Sequence, residues 1–195
     1  PDAARVLDGS VRFNGEVLAS GRDFAGVRGG GIAYVFQDAA SSLHPLRRVG
    51  AQLRECLRVH RPKASAAEAR ERIAAALEEV GLAPMAHQLA STLTLSGQKR
   101  LEIARAVATG ARLIMLDEVM AGLTPTEVAQ MLQTLRHLQA TRGFTLLVIE
   151  HVMRALMELC GHIVVLHHGE LIAQGKPAEI AENPDVLSVY FGEHA

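Results

Sequence analysis

Cysteine is scarce in this sequence. Cys56 and Cys160 lie far apart, and neither has a second cysteine at zinc-finger spacing. That excludes a disulfide scaffold and a thiolate zinc site. It leaves two small side chains, buried or half-buried, in a reducing compartment. An excess of charge of either sign is also missing: 20 Lys and Arg stand against 21 Asp and Glu, a formal net charge of -1. With no large positive field, nucleic acid is not expected as a partner. No apolar run approaches the roughly 18 residues of a membrane helix; stretches such as Leu146 to Ile149 fall far short. Pro1-Asp2 opens the chain without a basic lead into an apolar core, so no signal peptide is expected, and the chain reads as cut from something longer. Finally, no G-x-x-x-x-G-K-[ST] stretch occurs. Gly29-Gly30-Gly31 is not one, because no Lys-Ser or Lys-Thr pair follows it.

What is present alternates between strand and helix signals. Asn14-Gly15, between Val11-Arg12-Phe13 and Val17-Leu18, predicts a hairpin with a type I′ turn. Residues 19 to 31 read as loop, and Ile32 to Phe36 as a strand. Helical spacing begins at Val49, Leu53 and Leu57 and breaks at Pro62. Ser65 with Glu68 predicts a capped helix carrying Ala69, Ile73, Leu77 and Val80 on one face, ended near Gly81. A further helix is predicted from about Gln98 to Thr109, closed by Gly110.

Beyond it, Leu113 to Leu116 reads as a strand buried on both faces. Thr124-Pro125-Thr126-Glu127 starts a helix that Gly143 closes. Thr145 to Ile149 is a strand, 152 to 160 a helix and 163 to 166 a strand, with a tight turn at His168-Gly169 and two proline-opened helices near 177 to 182 and 184 to 191. The expected class is α/β: a small antiparallel β part, a helical insert, and a core with at least two crossover units.

The strongest chemical signal is Leu113-Ile114-Met115-Leu116-Asp117-Glu118, four apolar residues ending in two acids. Ligands of open α/β sheets bind at the carboxyl ends of the strands. Metal-dependent phosphoryl transfer needs a carboxylate near Mg²⁺ and a second group to orient the attacking water. Glu150-His151, at the end of the next predicted strand, would reach the same edge if the two strands were neighbours.

These residues resemble the motifs of ABC-type ATPases, in that family's order. Asp117-Glu118 is similar to the Walker B motif and catalytic glutamate, and Tyr34-Val35-Phe36-Gln37 to the Q-loop. Leu93 to Arg100, followed by Leu101 to Ala106, resembles the signature motif and its helix. Ala121-Gly122-Leu123-Thr124 matches the D-loop position, Glu150-His151 the H-loop, and Gly169 to Gly175 the terminal hairpin. The resemblance implies a P-loop NTPase-like core without its Walker A segment. Residues 1–48 would hold the antiparallel β part and Q-loop, 49–110 the helical subdomain and signature helix, and 111–195 the α/β core with Walker B, D-loop, H-loop and C-terminal helices.

The resemblance also implies ATP and Mg²⁺ as cofactors. Glu118 and His151 would be catalytic, and Asp117 and Gln37 would serve Mg²⁺. Gln37, Asp117, Thr94, Ser96 and Gly97 would contact nucleotide, the last three in a partner domain's site. A second nucleotide-binding domain and membrane permease subunits are the implied partners, and the cytoplasmic face of the membrane the implied location. Without the Walker A loop, the 195 residues alone are expected to be inactive.

Three departures stand out. The phosphate loop is missing. Counting back from Ile103-Ala104-Arg105-Ala106 puts Thr94 at the signature serine, with Leu95 and Ser96 at its glycines, although Gly97 follows. Val119 stands where proline is usual, and Thr124 where aspartate is usual.

Two branches are represented. Gly9 to Glu16, Val35 to Asp38 and Ser42-Leu43-His44-Pro45 resemble oligopeptide and dipeptide importers. Thr92 through Glu102, Met120 to Glu127, Glu150 to Met153 and Val189-Tyr190-Phe191-Gly192 resemble branched-chain amino acid importers. The expected function is the energy-coupling subunit of an importer for branched-chain or other amino acids, with a peptide importer as the alternative. A non-transport ATPase of DNA repair or translation would carry long coiled-coil inserts or tandem domains, which residues 49–90 do not supply. A non-catalytic domain of the same fold is the reading that the missing loop would favour if the chain were complete.

Overall fold

The computed structural model describes residues 9–18, 21–37 and 42–191. Arg12–Phe13 (β1) and Glu16–Val17 (β2) form an antiparallel hairpin. Asn14 and Gly15 both have positive φ, 51° and 85°, as a type I′ turn requires. The segment read as loop contains a short helix, Gly21–Val27 (α1). Its composition carries no apolar periodicity, and only Asp23 in the first turn favours a helix start, so periodicity could not reveal it.

Three strands make the central parallel sheet: Ile32–Val35 (β3), Leu113–Asp117 (β4) and Thr145–Ile149 (β5), in the order β3-β4-β5. The register is unbroken, from Ile32↔Leu113↔Thr145 to Val35↔Leu116↔Val148. Because strand side chains alternate, Ala33, Val35, Ile114 and Leu116 share one face, and all four are buried. Tyr34, Phe36, Leu147 and Ile149 share the other and are 40–55% exposed.

The buried face meets a helical unit. Val49–His60 (α2), Ala66–Glu79 (α3) and Leu95–Thr109 (α4) pack on one another, and α4 also packs on β3. Val49, Leu53 and Leu57 are the fully buried stripe of α2, as their four-residue spacing predicts. The Ser65 hydroxyl accepts the Glu68 amide at the start of α3. Helix α4 begins at Leu95, three residues before the predicted start, because Thr94 caps it: the Thr94 hydroxyl accepts the Gly97 amide at 3.2 Å.

Pro125–Arg142 (α5) starts with a full capping box between Thr124 and Glu127. Its Leu132, Leu135 and Leu138 join the same core. Met153–Leu159 (α6) follows β5. Ile163–His167 (β6) and Glu170–Gly175 (β7) form a second hairpin, and Pro177–Ala181 (α7) and Pro184–Phe191 (α8) close the chain. A small separate core, Ile163, Ile180 and Val186, holds this last part together. Cys56 and Cys160 are both half-buried and free. Among the described residues no helix is long and apolar enough to cross a membrane.

The two faces of the sheet should respond differently to truncation. Ile114→Ala should cost about 2–5 kcal/mol, whereas Leu147→Ala on the open face should cost less than about 1 kcal/mol. Urea midpoints of the two variants at constant m-value check this; equal losses would mean that the open face is covered.

Candidate functional site

All three strands of the parallel sheet run the same way, so their carboxyl ends share one edge. Gln37 lies two residues past β3. Asp117 is the last residue of β4, in register with Ile149, and Glu118 follows it. Glu150 and His151 follow β5 directly. At this edge the Gln37 amide nitrogen donates to the Glu118 carboxylate at 2.5 Å. His151 Nδ1 lies 3.8 Å from the other Glu118 oxygen, and the imidazole is 65% exposed. The Tyr34 hydroxyl donates to Asp117 at 2.7 Å, and that hydrogen bond, with a lesser contribution from burial, pushes the phenol pKa up. Four residues singled out in the sequence, Gln37, Asp117, Glu118 and His151, thus sit together.

The Glu118 backbone has φ +46°. A non-glycine residue in the left-handed region costs about 1–3 kcal/mol and persists where its surroundings over-determine it. Here its N–H donates to Ile149 O at 2.9 Å, and its carbonyl accepts from Ala121 N at 3.1 Å and from Lys99 Nζ at 3.2 Å. A charge-assisted hydrogen bond contributes about 1.5–3 kcal/mol, enough to offset the strain. The same ammonium donates to Gln37 O at 3.3 Å. Lys99 is 2% exposed.

Glu150 is the second acid beneath Glu118. One of its oxygens accepts the Met120 amide at 2.8 Å, and the other is buried without a hydrogen-bond partner among the described residues. Burial raises its pKa, opposed by the Met120 amide and by the charges of His151 and Lys99. This carboxylate ties the end of β5 to the segment leading into α5.

Thr94, Ser96 and Gly97 are placed elsewhere, in the first turn of α4. The Thr94 hydroxyl is engaged as the helix cap. Ser96 is 1% exposed, and its hydroxyl accepts from Arg100 at 3.2 Å. Neither side chain belongs to the group formed by Gln37, Asp117, Glu118 and His151. The two regions meet through Lys99 and through Gly122, where a Cβ would lie 3.0 Å from the Leu95 side chain at a backbone φ of +77°. Both constraints select glycine.

Reasoning from sequence missed Lys99, Tyr34 and Glu150 as members of the site. Tyr34 lies three residues before Gln37 and Glu150 directly before His151, so proximity was the available signal. Lys99 lies within the stretch that resembles the signature motif, but a lysine within Gln98-Lys99-Arg100 reads as solvated.

The donor set at the edge is hard oxygen: the Asp117 and Glu118 carboxylates and the Gln37 amide oxygen, which suit Mg²⁺. Among the described residues no group of three or more His, Cys, Asp or Glu side chains is arranged to hold a metal by itself. A Mg²⁺ here would therefore share its shell with ligand phosphate oxygens and water, the usual arrangement for that ion.

Comparison with known proteins finds relatives over most of the chain. The family model described as ABC transporter matches residues 4–121, and that described as branched-chain amino acid ATP-binding cassette transporter matches 170–195. The high-affinity branched-chain amino acid transport ATP-binding protein BraF of Pseudomonas aeruginosa is 44% identical over 126 residues, 65% of this chain and 49% of that protein. The peptidoglycan transport ATP-binding protein YejF of Agrobacterium fabrum is 40% identical over 154 residues, 78% of this chain and 28% of that protein. The chain spans about half the length of the branched-chain relatives it matches and less of YejF.

Among solved structures, cbiO1 of Clostridium perfringens, part of the ABC transporter complex cbiONQ, superposes with TM-score 0.82 at 24% identity, covering 94% of this chain and 73% of that one. The ADP conformation of MJ1267, an ATP-binding cassette of an ABC transporter, gives TM-score 0.75 at 23% identity, covering 96% and 78%. The fold is thus the mixed α/β core, helical subdomain and small antiparallel sheets of these cassettes. With a family match over more than half of the sequence, the chain belongs to the ABC transporter family.

Proposed function

We propose that this chain is part of the ATP-binding, ATP-hydrolysing subunit of an ABC importer for branched-chain or other amino acids. The observation that carries the reading is the meeting of Gln37, Asp117, Glu118 and His151 at one sheet edge. The choice of cargo rests on the match to branched-chain transporters at residues 170–195 and on BraF. A peptide importer is the second reading, favoured by the YejF match over 78% of the chain.

In the reaction, Asp117 would hold Mg²⁺ with the Gln37 amide oxygen beside it. When bound, Mg²⁺ supplies charge neutralisation on the β- and γ-phosphates. Glu118 takes the proton of the attacking water, and its carboxylate is oriented by the Gln37 amide nitrogen. His151, the exposed imidazole beside it, helps place that water and contacts the γ-phosphate. Asp117 acts on the bound ground state, while Glu118 and His151 act mainly in the transition state. Thr94, Ser96 and Gly97 would serve a second nucleotide-binding domain, which would complete the site as a dimer. Ser96 and Thr94 would then act through the α4 amino terminus rather than through free hydroxyls.

Permease docking, at the cytoplasmic face of the membrane, finds a candidate surface on the helical unit. A groove of about 370 Å³ between α2 and α3 has Ile73, Leu77 and Ala83 in its lining and Arg48, Arg54 and Arg70 at its rim. An amphipathic cytoplasmic helix of a membrane subunit suits such a groove.

The expected outcomes are as follows. The 195-residue chain titrated with Mg-ATP should show no micromolar affinity, because the phosphate-cradling loop is not among its residues. Calorimetry checks this, and tight binding would overturn it. In the chain extended by a G-x-x-x-x-G-K-[ST] segment from a relative, Asp117→Asn should lower both nucleotide affinity and turnover. Glu118→Gln and His151→Ala should spare affinity, with Glu118→Gln slowing single-turnover hydrolysis by about 10² to 10⁴-fold. Parental hydrolysis by Glu118→Gln would remove Glu118 as the base. Joint Arg54→Glu and Arg70→Glu replacement should release the chain from vesicles carrying its permease by about tenfold, read by flotation. Unchanged flotation would move the docking surface elsewhere.

A further inference from the structure

We infer that Lys99 is a positioning residue, a buried ammonium that locks the start of α4 to the backbones of both Gln37 and Glu118. The inference rests on the proposed roles of those two residues. Its own content is mechanical coupling, which no motif assigns.

The geometry is specific. Lys99 stands one turn beyond Ser96 on α4 and is 2% exposed. Its ammonium donates to Gln37 O at 3.3 Å and to Glu118 O at 3.2 Å. The side chains of those same two residues bond each other at 2.5 Å. Two segments far apart in sequence, one leaving β3 and one leaving β4, are therefore joined twice: by their own side chains and through the ammonium of a third element. Both bonds of the ammonium end on backbone carbonyls, so through them Lys99 acts on Gln37 and Glu118.

Physical chemistry makes this a lock rather than a filler. A lysine ammonium has three donors and no acceptor. Burying it is costly unless those donors stay engaged. Moving either carbonyl away would leave a buried charge with an unmet donor, so α4 and the two segments are constrained to move together. The contact on Glu118 falls on the residue with φ +46°, whose N–H is already held by Ile149. Lys99 thus fixes the outgoing peptide of the residue that carries the proposed base, from the helix whose first turn would face a second domain. A shift of that turn would reach Glu118 and Gln37 directly. The Lys99 charge also acts on Glu150, where it opposes the effect of burial.

The test uses the 195-residue chain labelled with ¹⁵N. In the parent, the Lys99 ammonium protons should exchange at least about tenfold more slowly than those of the exposed Lys63 and Lys176. In Lys99→Met, which keeps length and apolar volume but removes the donors, the Gln37 side-chain amide signal should move. Backbone exchange at Val119, Met120 and Ala121 should rise about tenfold. Lys99→Arg, which restores charge and donors, should return both readouts most of the way. Val107→Ala, a destabilising change elsewhere on α4, should move neither.

A Lys99 ammonium exchanging like that of Lys63 overturns the proposal in the parent chain alone, whether or not any variant folds. So does a Lys99→Met spectrum that matches the parent at Gln37 and Val119 to Ala121, or a Val107→Ala spectrum that shows the same changes. No readout depends on ATP turnover. Failure of the ATPase reading would leave the exchange result standing, and failure of the lock would show even in an active enzyme.

Discussion

The unbroken parallel register of β3, β4 and β5 is the constraint on which the rest of this molecule depends. Burial of Ala33, Val35, Ile114 and Leu116 on one face sets that register, because a slip of one residue would turn all four toward the other face. Parallel direction then brings three carboxyl ends to a single edge. Gln37, Asp117, Glu118, Glu150 and His151 come from three separate stretches of chain, and only this pairing joins them. The helical unit contributes by covering the buried face, with α4 against β3, and by supplying Lys99 to the edge from below.

Around that edge the molecule accepts local costs that the surrounding contacts offset. Glu118 holds a left-handed backbone, Lys99 is a buried charge, and Glu150 is an acid raised by burial. Each is tied to a neighbour: Glu118 to Ile149, Lys99 and Ala121, and Glu150 to Met120. Strain and buried charge gathered at one place, with hydrogen bonds holding them, is the pattern expected of a site under functional constraint. The exposed ion pairs elsewhere, such as Arg154 with Glu158, contribute little.

The two branch resemblances are spread over the same fold. The sequence likeness to BraF covers 65% of the chain and that to YejF 78%, and the short match at 170–195 falls on β7 and the last two helices. That region has its own small core around Ile163, Ile180 and Val186. Differences there can accumulate without disturbing the sheet edge, because packing around the acids runs through α4, α5 and the central strands instead.

The sequence by itself determined the elements and the identities of the reactive groups. Caps at Ser65 and Thr124, the Asn14-Gly15 turn and the apolar stripe of α2 are local signals, and local backbone chemistry decides them. The acids Asp117 and Glu118 were legible because four apolar residues precede them. Helix α1 was not legible, since it lacks a periodic apolar face, and the early start of α4 turned on one hydroxyl cap at Thr94. Only the tertiary structure decided that Tyr34 reaches Asp117 and that Lys99 is buried between two carbonyls. The physical reason is range. A lysine between Gln98 and Arg100 carries no sign of the carbonyls it will meet, because those partners lie 62 and 19 residues away in the chain and are brought to it only by the packing of α4 against the sheet.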